Sequence, residues 1–169
     1  MIRTLQPAIL ALAILTLSAT FSESLAQSVA YKTHGTGTYS PSTGDYGGSG
    51  VGTHLGNHTF LGNVGVSPTS NPLVFDFYST APQETIGANG DKLFFSSSGQ
   101  VTLIPLDSTF TTWSAIWTGD FVVVGGTGRF ANATPAAQPL QVVAINDPFT
   151  FLDPEWSFTW ELSGRIMLR

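Results

Sequence analysis

Thr112-Trp113-Ser114-Ala115-Ile116-Trp117-Thr118-Gly119-Asp120-Phe121-Val122-Val123-Val124 is the stretch whose periodicity decides the fold. Every second residue from Trp113 gives one side: Trp113, Ala115, Trp117, Gly119, Phe121, Val123. Thr112, Ser114, Ile116, Thr118, Asp120, Val122 and Val124 give the other. A strand gathers such aromatics on one face, whereas a helix would scatter them around its circumference. Trp156 to Leu168 repeats the pattern, with Trp156, Phe158, Trp160, Leu162, Gly164, Ile166 and Leu168 against Ser157, Thr159, Glu161, Ser163, Arg165 and Met167. Two long strands, each with one aromatic face turned to a core, therefore frame the chain.

Working outward, Leu73 to Tyr78 alternates on a smaller scale, and Leu140 to Ile145 reads as a strand buried on both faces or close to it. Lys92 to Ser97 and Gln100 to Ile104 read as a hairpin turning at Ser98-Gly99. Tyr31 to Tyr39, Tyr46 to His54 and Asn57 to Val66 are Gly- and Thr-rich strands. Their turns are Pro41-Ser42-Thr43-Gly44-Asp45 and a corner at Leu55-Gly56. Eight or nine strands follow, with no amphipathic helical stretch, which predicts an all-β fold: an antiparallel barrel of about eight strands, or alternatively a β-sandwich. The glycines at 35, 37, 47, 48, 50, 52, 62 and 65 favour the barrel. They supply tight corners and make room for the large late residues across the lumen.

The N-terminus has another character. Arg3 precedes an apolar run from Ala8 to Leu17, and Ser24-Leu25-Ala26 places small residues where a signal peptidase cuts. Residues 1–26 are expected to be a signal peptide and 27–169 the mature domain, secreted to a periplasm or an extracellular space. The run is too short to span ~30 Å of hydrocarbon as a helix, and no membrane span is expected after it. The 169 residues contain no cysteine, so the domain is disulfide-free and holds together by packing and strand pairing. A net charge of −5 with few lysines argues against nucleic acid and anionic membrane surfaces.

Two segments carry a family likeness: Gly125-Gly126-Thr127-Gly128-Arg129-Phe130-Ala131-Asn132-Ala133-Thr134, and Gly52-Thr53-His54-Leu55-Gly56-Asn57-His58-Thr59-Phe60-Leu61-Gly62-Asn63. Together they resemble uncharacterised secreted bacterial proteins related to the allene oxide cyclase and dirigent barrels. The resemblance implies an eight-stranded antiparallel barrel and carries no function across, since the cavity residues of those proteins have no matched positions in this chain. The glycines of the first segment let the chain leave a strand and cross a barrel end, with Phe130 as its plug and Arg129 reaching solvent or a backbone carbonyl. Without a Walker lysine or a following helix the loop is not a phosphate cradle.

Candidate chemistry is sparse. His54 and His58 lie four apart, but four strand residues span about 13 Å, too far for one ion. They approach only if Leu55-Gly56 turns, in which case His34 could join from a neighbouring strand; hydrogen-bonded or surface imidazoles are the plainer reading, so no metal site is expected. Asp76, Asp120 and Glu161 fall opposite the aromatics and should face solvent; Glu161 and Arg165 share a face and are expected to pair weakly. No Ser, His and Asp are arranged as a triad. Asn57-His58-Thr59 and Asn132-Ala133-Thr134 match the glycosylation acceptor.

Trp113, Trp117, Phe121, Trp156 and Trp160 are the candidate ligand-binding residues, with ordinary core packing as the plainer alternative. No cofactor is expected. The leading expectation is a non-enzymatic binding or structural module whose lumen holds a small apolar molecule. The alternative is a cyclase- or isomerase-like enzyme, which needs a carboxylate or histidine pointing into a real cavity: one of Asp76, Asp120, Glu161 and His54. A third is a surface or matrix protein with a filled lumen.

Overall fold

A computed structural model describes residues 26–169. The expected signal peptide and its cleavage site therefore fall almost entirely outside the described residues. Ten strands form one antiparallel sheet: β1 (Gln27–Tyr39), β2 (Asp45–Gly52), β3 (Gly56–Pro68), β4 (Val74–Ser79), β5 (Gln83–Gly87), β6 (Lys92–Pro105), β7 (Trp113–Gly126), β8 (Thr134–Pro135), β9 (Leu140–Asn146) and β10 (Trp156–Leu168). The described residues contain no α-helix, only a 3-10 turn at Gly128–Phe130. Neighbours run β1-β2-β3-β4-β6-β7-β9-β10, and β10 pairs back onto β1 from Gln27↔Leu168 to Tyr39↔Trp156. The result is a single closed ring of eight strands rather than two facing sheets.

β5 is not a ninth position. It pairs with β3 and β6, as β4 does, and runs in the same direction. Val64 faces Ser79 while Leu61 faces Glu84, so the β4–β5 side carries two more residues than its partner across the break at Thr80-Ala81-Pro82. The two pieces are one ring strand with an insertion. Proline has no N–H to give the ladder, which suits it to such a break. β8 is a short addition beside the far end of β10.

β7 and β10 alternate as the sequence predicts, with Trp113, Ala115, Phe121, Val123, Trp156, Leu162 and Ile166 buried. Two other expectations need correction. Lys92 to Ile104 is not a hairpin but the unbroken strand β6. Gly99 lies opposite Gly119 of β7, and a methyl group there would come 2.9 Å from the Phe77 ring, so this glycine makes room for an aromatic rather than a turn. β9 is buried on one face only, since Val143 and Ile145 are exposed and Leu140, Val142 and Ala144 are not.

The interior has two apolar clusters, one toward each end of the ring. The first gathers Tyr31, Leu93, Phe95, Phe121, Leu140 and Ile166 around Phe130, the expected plug, which is fully buried. Gly128 there adopts φ +58°, a left-handed turn that glycine takes without strain. Arg129 reaches solvent as expected, and there pairs with Asp91 at 3.0 Å rather than with a backbone carbonyl. The second cluster gathers Tyr39, Val64, Phe77, Trp113, Phe149 and Trp156, with Phe149 stacked on Trp156 at 3.8 Å.

Candidate functional site

Between the two clusters the ring is not filled. A cavity of about 90 Å³ lies there, bounded by Tyr31, Phe95, Phe121 and Leu162 from one cluster and Tyr39, Val64 and Phe77 from the other. Trp117, Phe158 and Trp160 also border it, and all three are only half-buried although they point inward. None of the residues that line it is Asp, Glu, Lys or Arg.

The glycines create this space differently from the expectation. Phe158 and Trp160 of β10 do not meet glycines across the interior; they lie over Gly37 of β1, the adjacent strand, and Gly50 of β2, the next one along. A methyl group at Gly37 would come 2.7 Å from the Phe158 ring, and one at Gly48 would come 2.9 Å from Phe60. Flattened against bare backbone, the aromatics line the wall and leave the centre open.

One side of the wall is polar. His58, on β3, is in phase with Phe60 and Val64 and is buried. Its Nδ1 lies 3.0 Å from the Gly56 carbonyl, which only accepts, so Nδ1 carries the proton; Nε2 lies 3.1 Å from the Thr33 hydroxyl, whose one proton is contested by the Val51 carbonyl at 3.2 Å. Burial holds the imidazole below its ordinary pKa, opposed by the Gly56 carbonyl, and His58 is neutral at pH 7. Beside it the Tyr46 hydroxyl donates to Gln83 Oε1 at 2.7 Å, and Gln83 Nε2 donates to Thr85 at 3.1 Å. Burial raises the Tyr46 and Tyr31 phenols well above their usual range, so both stay protonated. Opposite, Phe121, Val142, Ala144 and Leu162 offer only carbon. The chamber thus has a neutral hydrogen-bonding side and an apolar side, the usual composition of a small-molecule site.

Of the five candidate ligand residues, Trp117, Phe121 and Trp160 border the cavity. Trp113 and Trp156 do not; they pack in the end cluster with Phe149. Trp117 is fixed by its indole N–H, which donates to buried Asn146 at 2.8 Å. Asp76 and Glu161 are exposed on the outer face, and Asp120 is half-buried there, accepting from Gln141 at 2.6 Å. Glu161 pairs with Lys32 at 2.9 Å rather than with Arg165, which bonds Ser28 instead. His54 is also outside, holding the Ala30 carbonyl at 3.0 Å, and His34 is exposed. Among the described residues no group of three or more His, Cys, Asp or Glu could hold a metal ion.

The inward polar residues Thr33, Tyr46, His58, Gln83, Thr85 and Ser97 were not expected at a site. A signal for some of them exists: Thr33 follows Tyr31 by two, and His58 precedes Phe60 by two. No protein family, curated protein or solved structure matches this chain.

Proposed function

We propose that this chain is a secreted, non-enzymatic binding module, and that its ring of strands is a barrel of the allene oxide cyclase and dirigent kind holding a small, neutral, mostly apolar molecule. The observation that carries the binding role is the uncharged two-sided chamber between packed ends, with Tyr46, Gln83 and His58 facing Phe121, Val142 and Leu162. A charged ligand would lose its hydration there with no opposite charge to meet it. At about 90 Å³ the space is smaller than the ~150 Å³ void that admits benzene, so an occupant of ring size displaces half-buried wall groups that no hydrogen bond anchors, the Trp160 indole first. Export is supported by Arg3, the apolar run at 8–17 and the small residues Ser24 and Ala26. N-terminal sequencing of exported protein should find Gln27 first; retention of Met1 would remove the secreted part of the proposal.

Tryptophan fluorescence tests binding. Titration with phenol, indole, benzyl alcohol and short fatty acids should give a saturable shift for the neutral rings. Trp160→Phe should change that response. No saturable response from folded protein would leave a structural role in its place.

The cyclase- or isomerase-like reading has one observation in its favour: a neutral imidazole at the cavity wall, oriented by Gly56 and Thr33, is the arrangement of a general base. It requires that His58→Gln abolish turnover of a bound ring or epoxide substrate while its affinity stays. Binding without turnover in the unaltered protein dismisses it.

A further inference from the structure

We propose that the end of the ring opposite Phe130 docks a partner protein, through an apolar segment of that partner flanked by lysines or arginines. The turns at 40–44, 69–73, 106–112 and 147–155 make this end. Phe110 is 61% exposed, Phe151 54% and Leu152 94%, with Leu106 beside them half in solvent. Phe110 and Phe151 flank Trp113 at ring separations of 5.9 and 5.4 Å, so the exposed groups form one continuous surface on the packed end cluster. Solvent-facing aromatics gathered in this way mark an interaction surface.

The surface is held in shape. Asp107 accepts from the backbone and hydroxyl of Thr109 and of Thr111, and from the Thr112 N–H, at 2.7–3.1 Å. Trp113 Nε1 donates to the Phe110 carbonyl at 2.9 Å. Phe110 is kept at φ +56°, a conformation that glycine takes freely and phenylalanine does not. Strain at a rigid, exposed aromatic is the pattern of a surface built for contact.

Charge selects the partner. These four turns contain Asp107, Asp147, Asp153 and Glu155, Asp45 and Asp76 lie just inside them, and no Lys, Arg or His accompanies them. Lys32, Lys92, Arg129, Arg165 and Arg169 all lie toward the other end. An apolar centre ringed by carboxylates complements an apolar segment with cationic flanks. Two copies meeting by this end would crowd their acids together. A copy meeting it by the other end would offer three cations already paired, Lys32 with Glu161, Lys92 with Glu84 and Arg129 with Asp91, beside Arg165, which bonds Ser28, and Arg169.

The probe is a labelled amphipathic Leu/Lys helical peptide with its Leu/Glu counterpart, followed by fluorescence anisotropy on the mature protein at low and high salt. The Leu/Lys peptide should bind saturably and more weakly at high salt, and the Leu/Glu peptide should not bind. Phe110→Ser with Leu152→Ser should weaken binding at least about tenfold. Leu61→Ser, on the exposed face of β3, should not. Phe110→Gly, which relieves the backbone, removes the ring without endangering the fold. The proposal fails if the Leu/Lys peptide does not bind, if both peptides bind alike, or if the end variants leave its affinity unchanged. It also fails if those variants instead abolish self-association in sedimentation or adsorption to phosphatidylcholine vesicles while peptide binding persists.

Discussion

The indole of Trp160 on β10 reaches past β1 to lie against Gly50 on β2, where an added methyl group would sit 2.8 Å from its Cζ2 atom and 3.0 Å from Nε2 of His58. The same methyl would come 2.6 Å from the His34 carbonyl oxygen, which belongs to backbone and cannot swing aside. Gly50→Ala should therefore destabilise the protein by ~1–3 kcal/mol, the usual effect of overpacking. Urea unfolding measures it, and a loss under ~0.5 kcal/mol would mean that Trp160 does not rest on this glycine.

His58 ties stability to pH. Its folded pKa lies below the ordinary 6.5 because burial disfavours the imidazolium. As pH falls past that value the unfolded chain takes up a proton that the folded chain refuses, so stability drops between about 6.5 and the lower folded pKa. The urea midpoint should decline across this window, and His58→Gln should flatten the decline. An NMR titration midpoint at or above 6.5 would contradict the assignment.

Packing and hydrogen bonding should separate at two aromatics. Phe95 is fully buried, and Phe95→Ala should cost ~3–5 kcal/mol. Trp117 faces open space, so Trp117→Phe costs little by volume. It does leave buried Asn146 Oδ1 without its indole donor, worth ~1–3 kcal/mol. Double-mutant cycles with Asn146→Ala should recover most of that loss; strict additivity would place the cost in packing.

Asp107→Ala should free the turn at 106–112 without unfolding the ring. Hydrogen bonds from the threonines hold its carboxyl well below the usual carboxylate range, so the ordering contact persists across ordinary pH. Amide exchange at Thr109, Thr111 and Thr112 should accelerate while the strand amides of β6 and β7 keep their protection. Uniform acceleration would show that the turn and the sheet open together.

β7 and β10 were legible because their aromatic and polar residues alternate without a break. β6 was not: Ser96-Ser97-Ser98-Gly99 resembles a turn until Phe77, about twenty residues earlier, is placed over Gly99 and Gly119. β5 escaped notice because Pro82 reads as an ending, whereas here it is part of an insertion within one ring strand. The candidate site was half legible. Alternating aromatics mark the inside, a rule that finds Trp117, Phe121 and Trp160. It misses Tyr46, whose in-phase neighbours are Gly44 and Gly48, and Gln83 and Thr85, which lie on β5. The spacing of His58 from His54 suggests a metal ligand, whereas its phase with Phe60 points it inward.

Pairing of the first strand with the last has a consequence for how the molecule is made. Arg165 bonds Ser28 across 137 residues of chain, and Trp156, Phe158 and Trp160 reach the first strands through the same seam. Until β10 emerges from the ribosome, β1 and β9 both present unpaired edges and the inner face lacks three of its rings. Ring closure must wait for β10 and then bring together Ser28 and Arg165, 137 residues apart, the slow, high-contact-order kind of event. A circular permutant that joins residue 169 to residue 27 and opens at Thr80–Pro82 would turn that last step into a local hairpin, and should refold faster at unchanged stability.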